Sequence, residues 1–169
     1  MQQMTKKKFP RVEAWGFTVV SPMKVGRSSI LNAAEALEHT LHKFREIEGD
    51  VLMVVRPPLD RFKSLWRNKC RDGGKITGRA LIGLSPEGLF DLILRDIPNS
   101  HWVQQRDFLD SIPGGCTVRV VRLENLQQYI PTALPRRNAT EGDVPMSADL
   151  ELAINKHYAA DVRLYEDAL

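Results

Sequence analysis

Val19-Val20-Ser21-Pro22-Met23-Lys24-Val25-Gly26-Arg27-Ser28-Ser29-Ile30 is the stretch whose reading decides the fold. Ahead of it, Trp15–Val20 is a short apolar run with β-branched and aromatic residues, the composition of a buried strand. Behind it, Ile30, Ala34, Leu37, Leu41 and Phe44 recur at the three-and-four spacing of one helix face. The stretch is therefore predicted to be a strand–loop–helix turn. Such a loop aims several backbone N–H groups and the positive end of a helix at one point, which suits an anion. Gly26 permits close backbone approach, Lys24 and Arg27 add charge, and Ser28 and Ser29 can cap the helix and donate hydrogen bonds. A phosphate or sulfate cradle is one reading of these residues. An ordinary capped helix start with incidental basic residues is the other.

Working outward, the helix is predicted from Ser28 to Glu48, with Gly49-Asp50 as its stop. Val51-Leu-Met-Val-Val55 is an unbroken apolar run, the mark of a strand covered on both faces. Strand, helix, strand is a βαβ unit, which implies parallel pairing. Ligands in such sheets sit beyond the C-terminal strand ends. Those ends are Ser21-Pro22 and Arg56-Pro57, so Lys24 and Arg56 are expected on one edge. Pro58 can open a new helix whose apolar face is Leu59, Phe62, Leu65 and Trp66, with Ser64 two turns along. Ser85-Pro86-Glu87 is a second helix start. Asn99–Gln105 has no period and is predicted as a loop. Cys116–Val121 alternates and is predicted as a third strand, followed by a short helix from Arg122. Residues 132–146 read as a long loop. Ser147 is the predicted cap of a last helix with Leu150, Ile154, Tyr158, Val162 and Tyr165 on one face.

The totals bound what the chain does. At 169 residues, 43% hydrophobic and 27% charged, it is long and apolar enough for one domain with a real core, and disorder is excluded. Residues 1–12 read as a polar tail, and Lys6-Lys7-Lys8 within it as a solvated cluster rather than a nucleic-acid arm. A net charge of +3 suits an anionic ligand without demanding one. No stretch is long enough for a membrane span and no signal-peptide core is present. Cys70 and Cys116 make no metal spacing, so reduced thiols in a cytoplasm are the expectation.

Taken in order, these segments resemble the PAPS-dependent sulfotransferases, especially the carbohydrate sulfotransferases. Pro22-Met-Lys24-Val-Gly26-Arg-Ser28-Ser29 is similar to the family's 5′-phosphosulfate loop. Arg56-Pro57-Pro58-Leu59-Asp60-Arg61-Phe62-Lys63-Ser64-Leu65-Trp66 resembles its 3′-phosphate segment. His101-Trp102-Val-Gln-Gln105, Leu123-Glu124-Asn125-Leu126 and Tyr158-Ala-Ala-Asp161-Val-Arg-Leu164-Tyr165 resemble three further family segments. The chain departs from the pattern at Met23, inserted between proline and lysine, and at Pro57, which replaces an acidic residue. The stretch between Ser29 and Arg56 is also short, and it is the region that often supplies the family's catalytic base.

The resemblance implies a P-loop-like three-layer α/β/α fold with a short central parallel sheet, as a single domain over residues 13–169. It implies PAPS as donor, PAP as product and a hydroxyl-bearing acceptor, a carbohydrate. Lys24 neutralises the bridging oxygen and 5′-phosphate, while Val25, Gly26, Arg27, Ser28 and Ser29 hold the remaining oxygens. Arg56 and Ser64 grip the 3′-phosphate, and Arg137, with Arg136 and Asn138, closes over the nucleotide; the alternatives are an Arg56 paired with Asp60, a surface Ser64 and a solvated basic loop. His101 is the first choice for the base and Glu35 the second. A structural histidine bonding a backbone carbonyl is the alternative for His101. His39 and His42 are expected on the first helix surface and His157 in a structural place. Trp102 has the best claim to stack on a ligand ring. No metal is required, and the missing Golgi anchor of the animal enzymes points to a soluble bacterial or viral relative. Two other functions compete. One is a PAPS- or PAP-binding protein with impaired catalysis. The other is a P-loop kinase-like phosphotransferase, disfavoured because the first Gly of its motif is Ser21 and its Lys is Arg27.

Overall fold

A computed structural model describes residues 7–73, 75–76, 79–95, 99–134 and 142–169. The fold is mixed α/β, built on a five-stranded sheet. Its strands are β1 (Lys8–Val12), β2 (Phe17–Val20), β3 (His39–Lys43), β4 (Asp50–Val55) and, late in the chain, Thr117–Arg122. Between β3 and β4 the chain passes through a 3₁₀ turn at Phe44–Glu46. Helix α1 (Arg27–Glu35) follows β2 and α2 (Pro58–Trp66) follows β4. A π-helical turn, Arg67–Arg71, extends α2, and a two-stranded ribbon of β5 (Lys75–Ile76) and β6 (Arg79–Ala80) follows. Next come α3 (Pro86–Leu94) and α4 (Gln105–Asp110). Thr117–Arg122 is β7, and a 3₁₀ turn at Leu123–Gln128 leads toward α5 (Ala148–His157) and α6 (Ala159–Glu166).

The strand order is β3-β1-β2-β4-β7. β2, β4 and β7 run parallel, as the βαβ reading requires, while β1 pairs antiparallel with both β2 and β3. The sheet is thus mixed, not the parallel sheet expected. Alternation along β4 buries Val51, Met53 and Val55 against Phe108 and Leu164 on one face, and Leu52 and Val54 against Ile30 and Leu126 on the other. Helices therefore cover both faces: α1 on one, α4 and α6 on the other. A further apolar cluster joins α2, α3 and α5 through Phe62, Leu65, Leu89, Phe90, Ile93 and Ile154.

Several expectations hold. Pro58 opens α2, and the Oγ atoms of Ser85 and Ser147 accept hydrogen bonds from the N–H groups of Gly88 and Leu150 at the starts of α3 and α5. Others are corrected. Residues 8–12, read as part of a polar tail, form β1, with Phe9 and Val12 fully buried on opposite faces of the sheet. The first helix ends at Glu35, not Glu48, and His39–Lys43 becomes an edge strand beside β1. Leu41, assigned to the helix's core face, is 43% exposed there. Pairing with β1 outweighs the helical spacing. Trp15 lies in a 3₁₀ turn ahead of β2. The last helix breaks at Tyr158, giving α5 and α6. Among the described residues no helix is long and apolar enough to cross a membrane.

Candidate functional site

The turn between β2 and α1 is set by its own backbone. Lys24 and Gly26 both adopt the left-handed conformation, with φ of 68° and 66°. Ser21 Oγ donates to the Val25 carbonyl, and the Val25 N–H donates to the Pro22 carbonyl at 3.3 Å. Val25's side chain is wholly buried, so the residue pins the turn, and its N–H is committed inside it. The left-handed φ of Gly26 disfavours a side chain, and an added Cβ would lie 2.7 Å from Leu123 Cδ1, so the leucine side chain would have to shift. Gly26, rather than Ser28 or Ser29, is the N-cap, and no side chain caps α1. The first N–H groups of α1 thus have no capping side chain and remain able to bind an anion.

The C-terminal end of β4 meets this turn. Arg56 Nη1 donates to the Lys24 carbonyl at 3.4 Å, so the two strand ends do share one edge. Around them opens a cleft of about 1020 Å³. Lys24, Gly26, Arg27, Ser28, Ser29, Arg56, Ser64 and His101 all line it. Three separate segments therefore converge on one concavity: the glycine turn, the β4 end with α2, and the loop before α4.

Burial, then the charges of Lys69 and Arg56, pull the Lys24 ammonium down to about 8. Its Nζ donates to Asn68 Oδ1 at 2.7 Å. Arg27 is turned elsewhere: its guanidinium donates to the carbonyls of Lys8 and Ser21 and lies 5.1 Å from the centre of the Phe9 ring. Its side chain ties α1 to β1, which leaves the α1 backbone as its main offering to a ligand. Asn99 Oδ1 accepts from the His101 backbone N–H at 2.9 Å and lies 2.8 Å from His101 Nδ1. A carbonyl oxygen only accepts, so the proton of a neutral ring sits on Nδ1 and Nε2 carries the lone pair. Burial first, then Lys69, Lys24, Lys7 and Arg61, push this imidazole down to about 4.

Beneath the cleft lies a buried polar frame. The Gln105 carboxamide, fully buried, accepts from the Arg56 N–H at 2.9 Å and donates to the Arg56 carbonyl at 2.8 Å. Asp161, also fully buried, accepts from the N–H groups of Gln105 and Arg106, both at 2.8 Å, and so caps α4 from α6. Arg61 lies 3.8 Å from Asp161 and donates to the carbonyls of Met23 at 3.1 Å and His101 at 3.3 Å. One guanidinium thus ties the glycine turn to the His101 loop. Burial pushes the Asp161 carboxyl above its usual range, against the pull of its two N–H donors and of Arg61.

Other candidates lie outside the cleft. Glu35 is exposed at the far end of α1. His39 and His42 sit on edge strand β3, not on a helix. His157 packs edge-on against Phe90 and Tyr158. Trp102 is buried with Phe62 and Leu65 and is not a stacking platform in the cleft. Arg136, Arg137 and Asn138 lie outside the described residues. Asp60, Asn68, Lys69, Glu124 and Tyr165 line the cleft without having been given a role from sequence. Asp60, Ser64 and Asn68 follow at four-residue intervals, so helical spacing could have found the first and third. Glu124 and Tyr165 belong to the matched segments, and Tyr165 Oη donates to Glu124 Oε1.

Comparison with protein-family models, curated proteins and solved structures returns no match for this chain.

Proposed function

We propose that the chain is a cytoplasmic sulfotransferase that uses PAPS to sulfate a hydroxyl on a carbohydrate, on a P-loop-like three-layer α/β/α fold. The observation that carries this reading is the cleft into which three sequence-distant segments deliver Lys24 with the start of α1, Arg56 with Ser64, and His101. The donor set fits a nucleotide with phosphates at two positions. An uncapped helix start and an ammonium form one anion-binding subsite, and a guanidinium with a hydroxyl forms a second.

PAPS, when bound, supplies the sulfuryl group. Lys24 and the N–H groups of α1 hold the 5′-phosphate end and balance charge on it, the electrostatic task that dominates such transfers. Arg56 and Ser64 hold the 3′-phosphate, with Gln105 fixing the Arg56 backbone beneath. His101 takes the proton of the acceptor hydroxyl at Nε2, the nitrogen left with a lone pair by the Asn99 contact. A second reading, a PAPS- or PAP-binding protein with impaired catalysis, draws support from the same imidazole. A ring held at about 4 is a weak base at neutral pH.

Calorimetric titration with PAP and with adenosine 5′-phosphate tests the donor site. Arg56→Ala should weaken PAP by about ten- to hundredfold, the worth of a charged hydrogen bond, and adenosine 5′-phosphate by less than about threefold. Equal losses for both ligands overturn the assignment. Sulfate transfer from PAPS to a panel of sugars then separates the enzyme from the binding protein.

A further inference from the structure

We propose that Asn68 is a further binding residue of the cleft, its carboxamide N–H groups donating to the phosphate end that Lys24 holds. The inference rests on the sulfotransferase reading of the cleft. It adds a residue that lies beyond the segment resembling the family's 3′-phosphate motif.

The orientation of the carboxamide follows from chemistry. Its hydrogen bond is with the Lys24 ammonium, at 2.7 Å. An ammonium only donates, so the atom facing it is Oδ1 and the N–H groups are on the opposite arm. Among the described residues nothing accepts from that arm. Asn68 is half-buried and lines the cleft. Two N–H donors are thus left at the cleft wall, beside a cation and without a protein partner.

The helix accounts for the placement. Ser64 lies on α2 and Asn68 on its extension, one turn apart, about 6 Å along the axis. Both line the cleft, Ser64 at the subsite it forms with Arg56 and Asn68 against Lys24. One helical edge therefore reaches from the 3′-phosphate subsite to the 5′ one. The turn that carries Asn68 is π-helical: the Asp72 N–H donates to the Arg67 carbonyl, five residues back, at 2.9 Å. Such turns are rare and recur at functional sites, where the widened ring re-aims the side chains it carries.

The local charge favours a neutral donor at this point. Burial, Lys69 and Arg56 already draw the Lys24 ammonium down. A further cation against it would add to that repulsion. An amide supplies donors without adding charge, and its oxygen, the negative end of the dipole, faces the ammonium.

The test titrates the full chain by calorimetry with PAP and with adenosine 3′-phosphate, which lacks the 5′-phosphate. Asn68→Ala should bind PAP about tenfold more weakly, the worth of one hydrogen bond to a charged group, and adenosine 3′-phosphate within about twofold of the unaltered chain. The second ligand is thereby the control for fold and for the Arg56 subsite. A cycle separates direct contact from an effect passed through Lys24: Lys24→Met/Asn68→Ala should still bind PAP at least about threefold more weakly than Lys24→Met. In NMR spectra of isotope-labelled chain, the Asn68 side-chain N–H signals, assigned by their absence from Asn68→Ala, should move when PAP is added. Unchanged PAP affinity in Asn68→Ala overturns the proposal, as do equal losses for both ligands, no further loss in the cycle, or N–H signals that stay in place. Where Lys24→Met binds PAP too weakly to titrate, the N–H signals decide. Failure of the unaltered chain to bind PAP is a separate result: it overturns the donor site and this inference with it.

Discussion

Lys24 holds a φ of 68°, a conformation that costs a non-glycine residue about 1–3 kcal/mol, and its ammonium is drawn down to about 8, mainly by burial. The ordinary value is 10.5, so the folded state holds this proton less tightly than the unfolded chain. The burden on stability is full below about pH 8 and is relieved as pH rises toward 10.5. Anion binding runs the other way, because it needs the charged form. PAP affinity measured by calorimetry should fall as pH rises through about 8, and Lys24→Met should bind more weakly with that decline removed. His101 has the same sign in a lower window. Its proton affinity falls from 6.5 to about 4 on folding, so stability is lost as pH drops between those values. In NMR titrations the His101 ring should titrate near 4 in the free chain and move up when PAP offsets Lys24, staying below 6.5 because burial, the main cause, persists. An unmoved ring would separate the two sites. That Lys24, Arg56 and Ser64 share one cleft was legible in the sequence because each stands in a patterned segment. The direction of the Arg27 guanidinium was not, since it depends on β1, and neither was the burial of Trp102, which α2 packs against.

At the scale of elements, α4 has no cap of its own. Gln104 makes no side-chain capping bond, and Asp161 from α6 takes that place while facing Arg61. A cap supplied across 55 residues leaves no local pattern, so nothing near Gln105 announced a helix. Asp161→Ala strands a buried guanidinium and two N–H groups, and should cost about 3–5 kcal/mol in urea unfolding. The turn into α1 offers a sharper test. Gly26→Ala adds a methyl group 2.7 Å from Leu123 Cδ1 at a φ of 66°, so clash and backbone strain act together. A loss of about 1–3 kcal/mol is expected, with PAP affinity falling as the first N–H groups of α1 shift. α2, α3 and α5 were legible because proline or a capping serine marked their starts. α1 was misjudged in length because Leu37, Leu41 and Phe44 repeat at helical spacing, whereas of the three only Leu41 lies in the strand that forms. Only the partner strand decides between helix and strand, and that strand had been read as tail.

For the whole molecule, the consequence of that misreading is topological. β1 stands between β3 and β2, so it joins the edge strand to the parallel trio. Phe9 packs against Phe44 at 4.7 Å and Phe108 at 6.5 Å between ring centres, tying β1 to the helical layer over one face. Val12 points into the layer on the other face, beside Trp15 and Ala34. The Lys8 carbonyl and the Phe9 ring also receive Arg27, and through it the start of α1. A strand made of a lysine, a proline and an arginine around Phe9 and Val12 looks solvated when read alone. Its sheet position comes from partners on both sides. Removal of residues 1–12 should therefore do more than trim a tail. It should abolish the cooperative thermal transition seen by circular dichroism, because β3 loses its neighbour and both cores lose a wall. Phe9→Ala is the milder form, expected to cost about 3–5 kcal/mol while retaining the fold. Because Arg27 leans on this strand, that variant should also bind PAP more weakly. A Phe9→Ala chain that melts with the unaltered protein and binds PAP equally well would show that the sheet ends at β2 and that the cleft is built without β1.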